Sequence, residues 1–235
     1  MIKLHKYKPL WGLADPSPFA IKAMVLFKMA GVSYEEEFVD WEVAPRHKMP
    51  YVTTGNGEII GDTSFIKNYL ENEHSVDFTG GYDAKTLAIG FMAEKMCENH
   101  LYWIEISYRW GVAENFNKGP RHFFDDAPEA IREKIANEMF EKSKMARFAH
   151  GIGRFNYDEI TEFGKQDVDA LSNLLGDNNF ILGNDICGFD AMVFAMLWGV
   201  STDYFDSPLN DYVKSKTNLK NYLKRMKELY FPDFA

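Results

Sequence analysis

The sequence predicts a two-part chain: an α/β domain over residues 1–76 and an all-helical domain over residues 85–235. Three observations predict it. Strand-like alternation and short hairpin signals occur only in the first third of the chain. A Gly80-Gly81 pair then breaks the pattern. Beyond it, the apolar stripes recur at helical spacing. At 235 residues the chain has room for two modest domains, and its 46% apolar content is enough to give them a sizeable core.

The first domain is read element by element. Ile2–Tyr7 alternates apolar and polar residues, as a strand does. A loop with Pro9, Gly12 and Pro16 leads to Ser17-Pro18, a helix start with Ser at the N-cap and Pro in the first turn. The helix runs through Phe19, Ile21, Met24, Val25 and Phe27 and stops at Gly31. Tyr34–Val39 is a second strand, and the intervening helix makes it parallel to the first through a right-handed crossover. Its Glu35-Glu36-Glu37 run fits a solvated sheet edge. Asp40–Lys48 is irregular. Tyr51–Thr54 and Glu58–Ile60 form a hairpin around Gly55-Asn56-Gly57, with Pro50 at its start, where a strand tolerates proline. Asp62-Thr63-Ser64 opens another helix that buries Phe65, Ile66, Tyr69 and Leu70. The order βαβ, loop, ββα is the minimal thioredoxin-like arrangement.

Val76–Ala84 is the linker. The remainder reads as helices over Asp83–Trp110, from Asp126-Ala127-Pro128 to Gly151, over Asp158–Leu175 closed by Gly176, and over Gly188–Val200. Two shorter ones, Pro208–Lys216 and Leu219–Tyr230, complete the chain. Gly188–Val200 is apolar on every face and so reads as a central buried helix.

Composition narrows the function. Lys and Arg total 26 against 35 Asp and Glu, a net charge of −9, and no basic stripe appears, which disfavours nucleic-acid binding. Two distant cysteines, Cys97 and Cys187, point to a reducing, cytoplasmic location. The six histidines show no metal-ligand spacing, so no metal is expected. The longest apolar run, Ala191–Val200, is too short for the ~20 residues a bilayer span requires.

Several segments resemble the glutathione S-transferase superfamily, in its metaxin-like branch that includes the failed-axon-connections proteins. They are Trp11-Gly12-Leu13-Ala14-Asp15-Pro16-Ser17-Pro18-Phe19, His47-Lys48-Met49-Pro50-Tyr51, and Gly61-Asp62-Thr63-Ser64-Phe65-Ile66. Glu98–Trp103, Arg109-Trp110, Phe180–Gly183 through Asp190-Ala191, and Phe205–Leu209 continue the match in order. Two departures stand out. Ala20 stands where many relatives carry Cys, which argues against redox cycling through the protein's own thiol. Cys187, a poor N-cap, stands where Ser or Thr usually opens the late helix, so Asp190 is expected to lack its capping partner.

The resemblance implies glutathione as cosubstrate and a small apolar electrophile as its partner. Ser17, at a helix N-terminus that favours negative charge, is the expected thiol-activating group, and Tyr7 is its rival. Both also have bland readings, a helix cap for Ser17 and a strand aromatic for Tyr7. Trp11 walls the glutathione site or plugs the domain junction. Pro50 is expected to be cis, with the Met49 backbone pairing with the tripeptide. The Thr63 hydroxyl and its helix N-terminus suit the γ-glutamyl carboxylate, and Asp62 the amine. Tyr102, Trp103 and Tyr108, together with Trp110, are expected to line a second-substrate pocket. A homodimer is possible. The alternative is a non-catalytic binding or interaction module on the same fold.

Overall fold

The computed structural model describes Met1–Ala235. Strands β1 (Ile2–Lys6), β2 (Tyr34–Phe38), β3 (Tyr51–Thr53) and β4 (Ile59–Gly61) form one sheet in the order β2-β1-β3-β4. β1 and β2 run parallel, whereas β3 is antiparallel to both β1 and β4. Helix α1 (Pro18–Ala30) is the crossover and α2 (Thr63–His74) follows β4. The remainder is helical: α3 (Ala84–Met96), α4 (Tyr102–Gly111), α5 (Ala113–Lys118), α6 (Glu129–His150), α7 (Tyr157–Leu175), α8 (Gly188–Val200), α9 (Pro208–Ser215) and α10 (Thr217–Tyr230). A four-stranded mixed sheet with helices, followed by a mostly helical part, is the predicted fold class.

Alternation on β1 buries Ile2, Leu4 and Lys6 on one face. The Lys6 ammonium is not left unpaired. It bonds Glu36 on the neighbouring strand at 2.8 Å and the Tyr7 carbonyl at 2.9 Å. β2 is the sheet edge, as its acidic run requires. α1 ends at Gly31 in the left-handed conformation (φ 64°), whose N–H closes onto Lys28 and Phe27.

α8 is buried along nearly its whole length and packs against α1, α3 and α10, so one continuous core joins the sheet side to the helical side. Asp190 on α8 corrects an expectation. Its Oδ1 accepts from the Ile181 N–H (2.9 Å) and the Tyr222 hydroxyl (3.0 Å). Its Oδ2 accepts from the Cys187 N–H (3.0 Å) and thiol (3.4 Å). A thiol is a weak donor, and the backbone and a tyrosine make up the difference.

The helix expected over Asp83–Trp110 is not uniform. Between α3 and α4 the Cys97–Leu101 segment is a π-helical turn. The wider turn rotates the face of α4 relative to that of α3, a rotation no periodicity argument anticipates. α5 and the 3₁₀ turn Pro120–Phe124 also escape a pattern-based reading, being short and rich in Asn, Gly and Pro. The linker is pinned down: Phe78 is buried, and its carbonyl accepts from the Gly188 N–H at 2.9 Å.

Candidate active site

Four segments of the sheet side converge on a cleft of about 980 Å³ whose far wall is α4. The first is the loop after β1. Leu10 and Leu13 exchange both backbone hydrogen bonds (3.1 and 2.9 Å), leaving Trp11 and Gly12 as a two-residue turn at φ 59° and 73°. Glycine suits that conformation and tryptophan does not, so Trp11 is held there by its surroundings. Its carbonyl accepts from Thr202 Oγ1 at 2.6 Å, and its indole packs on Phe123 and Phe205.

The second segment is the start of α1. Ser17 is the N-cap residue, yet its hydroxyl makes no capping hydrogen bond. Its backbone N–H instead donates to Asp15 Oδ1 at 2.8 Å. Ser17 lines the cleft at a helix N-terminus, and its hydroxyl is not consumed by capping the helix. Asp15 lies beneath it, fully buried, with Oδ2 unpartnered, and burial raises its carboxyl to about 7. Tyr7 stacks on Phe123 (centroids 4.9 Å apart), and burial together with Asp15 pushes its phenol up to about 12. At neutral pH Tyr7 is thus a hydrogen-bond donor and not a phenolate.

The third segment, Pro45–Pro50, places Arg46, His47 and Lys48 beside a cis Met49-Pro50 bond. In the fourth, Asp62 caps α2, its Oδ1 accepting from the Ser64 N–H at 2.9 Å, at an unusual φ of 79°. Thr63 is the first helical residue and is buried. Gly61 is required next door, since a Cβ there would stand 2.7 Å from Pro45 Cβ.

From α4, Tyr102, Trp103, Ile106, Arg109 and Trp110 face the cleft, spaced as one helical stripe. Tyr108 does not. It lies about half a turn round from Ile106, buried, with its hydroxyl against Thr161 and the Tyr157 carbonyl (3.3 Å). It is a packing residue between α4 and α7, and the cleft's further aromatics are Phe19, Trp41, Phe123 and Phe124.

Arg109 is a link that its sequence context does not announce. It is fully buried, donates through Nη1 to the Pro16 carbonyl (2.8 Å) and through Nη2 to that of Gly199 (3.0 Å), and pairs with Glu105 at 2.7 Å. It thereby ties the residue before Ser17 to α4 and α8. Glu98 also reaches the cleft, from the π-helical turn. Lys22 on α1 holds Glu98 and Glu94 at 2.7 Å each.

Both halves match family models. The glutathione S-transferase N-terminal domain matches residues 18–116, and the glutathione S-transferase C-terminal domain matches residues 164–226. The chain belongs to the glutathione S-transferase family. Among its relatives, the isoprene-epoxide glutathione S-transferase of Rhodococcus sp. is 28% identical over 98% of this chain and 99% of that protein. Failed axon connections of Drosophila melanogaster is 30% identical over all of this chain, which spans 59% of that protein's length. The solved structure of the Sphingobium beta-etherase LigF superposes with a TM-score of 0.70 at 17% identity, covering 96% of this chain and 94% of that one. The glutathione S-transferase assignment agrees with the order of motifs along the sequence, of which Trp11–Phe19, His47–Tyr51 and Gly61–Ile66 contribute residues to the cleft.

Proposed function

We propose that the protein binds glutathione in this cleft and activates its thiol for transfer to a small apolar electrophile. The observation that carries the reading is the convergence of Tyr7, Trp11, Ser17, Met49, Pro50, Asp62 and Thr63 on one cleft with an aromatic far wall. The α2 N-terminus and the Thr63 hydroxyl suit the γ-glutamyl carboxylate. The free oxygen of Asp62 suits its ammonium, and the Met49 backbone its peptide. Arg46 and Lys48 offer positive charge to the glycyl carboxylate, which a net charge of −9 would otherwise disfavour.

The thiol proton leaves to solvent, and the α1 N-terminus with the Ser17 hydroxyl stabilises the thiolate. A sulfur electron pair then forms the C–S bond as the leaving group departs with its own pair. With an epoxide, the C–O bond breaks and the alkoxide takes up a proton. The name of the Rhodococcus relative supports small epoxides as the first electrophiles to try.

Calorimetric titration with glutathione, followed by product analysis with a small terminal epoxide, tests the reading. One glutathione should bind per chain, and Thr63→Val should weaken binding roughly tenfold, the loss of one hydrogen bond to a charged group. Absence of binding by the wild type overturns the proposal. Binding with no product from any small electrophile would favour the alternative, a glutathione-fold binding module.

A further inference from the structure

A second concavity, of about 710 Å³, lies on the other side of Trp11, between the segment after α8 and the helices α9 and α10. Its floor is apolar and aromatic, with Trp11, Trp198, Tyr204 and Leu223. Four lysines line it: Lys214, Lys220, Lys224 and Lys227. The last three recur at i, i+4 and i+7 of α10, so one face of that helix presents them together.

These charges are poorly compensated. Asp203 pairs with Lys214, and Glu228 stands 3.7 Å from Lys224. Lys220 and Lys227 form no ion pair. Lys227 is half-buried, its stem lying over the Trp198 ring with Nζ 5.0 Å from the centroid. Desolvation and the nearby Lys214 charge lower its affinity for a proton. Four lysines against Asp203 leave the concavity with a local excess of positive charge in a protein that is acidic overall.

We propose that this groove is a binding site for a soluble phosphate-bearing small molecule. A phosphate monoester carries about −1.5 to −2 charges at neutral pH, which matches the two unpaired lysines. Lysine serves such groups as a point charge. The aromatic floor offers a face for an organic remainder. The groove is concave, and a membrane surface would require the lysines to project from a flat or convex face. None of the four lysines lines the glutathione cleft, so this site and the transfer reaction stand or fall separately.

The test is a low-salt calorimetric titration of the full chain with inorganic pyrophosphate, in the presence of excess glutathione. Saturable binding of one pyrophosphate per chain is expected, weakened tenfold or more in Lys220→Gln and in Lys227→Met, and unchanged in Lys85→Gln on α3, which lines neither the groove nor the cleft. The Met variant keeps the packing over Trp198, and circular dichroism checks that each variant folds. If Lys227→Met does not fold, the exposed Lys220 alone carries the comparison. No saturable binding, or equal affinity in wild type and lysine variants, overturns the proposal. So does capture by phosphatidic-acid vesicles without pyrophosphate binding, which would assign the lysines to a membrane surface.

Discussion

Asp15 and Ser17 divide the work at the start of α1. The carboxylate takes the Ser17 N–H, and the Ser17 hydroxyl stays available to the cleft. The arrangement costs stability in a defined pH window. The folded protein holds the Asp15 proton up to about pH 7, while an unfolded chain releases it near the ordinary value of 3.8. The folded state therefore binds more protons between these values, and stability falls as pH rises through them. Asp15→Asn keeps an oxygen for the Ser17 N–H and removes the titration. Its stability relative to wild type, read from the two melting temperatures, should rise between about pH 4 and pH 7 and level off above, by at most about 1.4 kcal/mol per pH unit in that window. A pH-independent difference would show that Asp15 does not titrate there. The Ser-Pro context marks Ser17 only as a helix start, and the family resemblance makes it a thiol-activating candidate; the buried acid beneath it is announced by neither. Nothing in the local pattern distinguishes Asp15 from an ordinary loop aspartate.

Among elements, the sheet side was legible because each piece carried its own punctuation: Pro18 and Gly31 bracket α1, and Gly55-Asn56-Gly57 turns the hairpin. The helical side was legible where a stripe was long, as in α7, or where a run was apolar on every face, as in α8. It failed at the π-helical turn, at α5, and at the face of α4 that Tyr108 occupies. Spacing alone does not say which side of an aromatic-rich helix meets the cleft and which meets a neighbouring helix. The same turn brings Glu98 within reach of Lys22, which is almost completely buried. Lys22→Met would leave Glu94 and Glu98 with Lys95 as their only cation. The loss should be about 3 kcal/mol in urea denaturation, as for a buried pair stripped of one partner. Adding Glu94→Gln and Glu98→Gln should recover much of it. Equal stability of Lys22→Met and wild type would mean the cluster is not desolvated in solution.

Across the whole molecule, the sheet side and the helical side share one core, and Arg109 joins them at the cleft. The arginine is held in place by closely spaced neighbours. A Cβ on Gly199 would stand 2.3 Å from Glu105 Oε1 and 3.2 Å from Arg109 Nη2. Gly199→Ala should therefore displace the pair, cost about 1–3 kcal/mol of stability, and weaken glutathione binding by loosening the Pro16 anchor. A variant that melts lower but binds glutathione as wild type does would separate Arg109 from the site and limit it to packing. No helix is long and apolar enough to cross a membrane.

The central claim is that Ser17, at the N-terminus of α1, lowers the pKa of a bound thiol. The direct measurement is the ultraviolet absorbance of the glutathione thiolate on the protein as a function of pH, in wild type, Ser17→Ala and Tyr7→Phe. The bound thiol should ionise near neutral pH in the wild type. Ser17→Ala should raise that pKa by about one unit or more, equivalent to about 1.4 kcal/mol, and Tyr7→Phe should shift it less. A bound thiol with the same pKa in wild type and Ser17→Ala, or a shift confined to Tyr7→Phe, would contradict the claim.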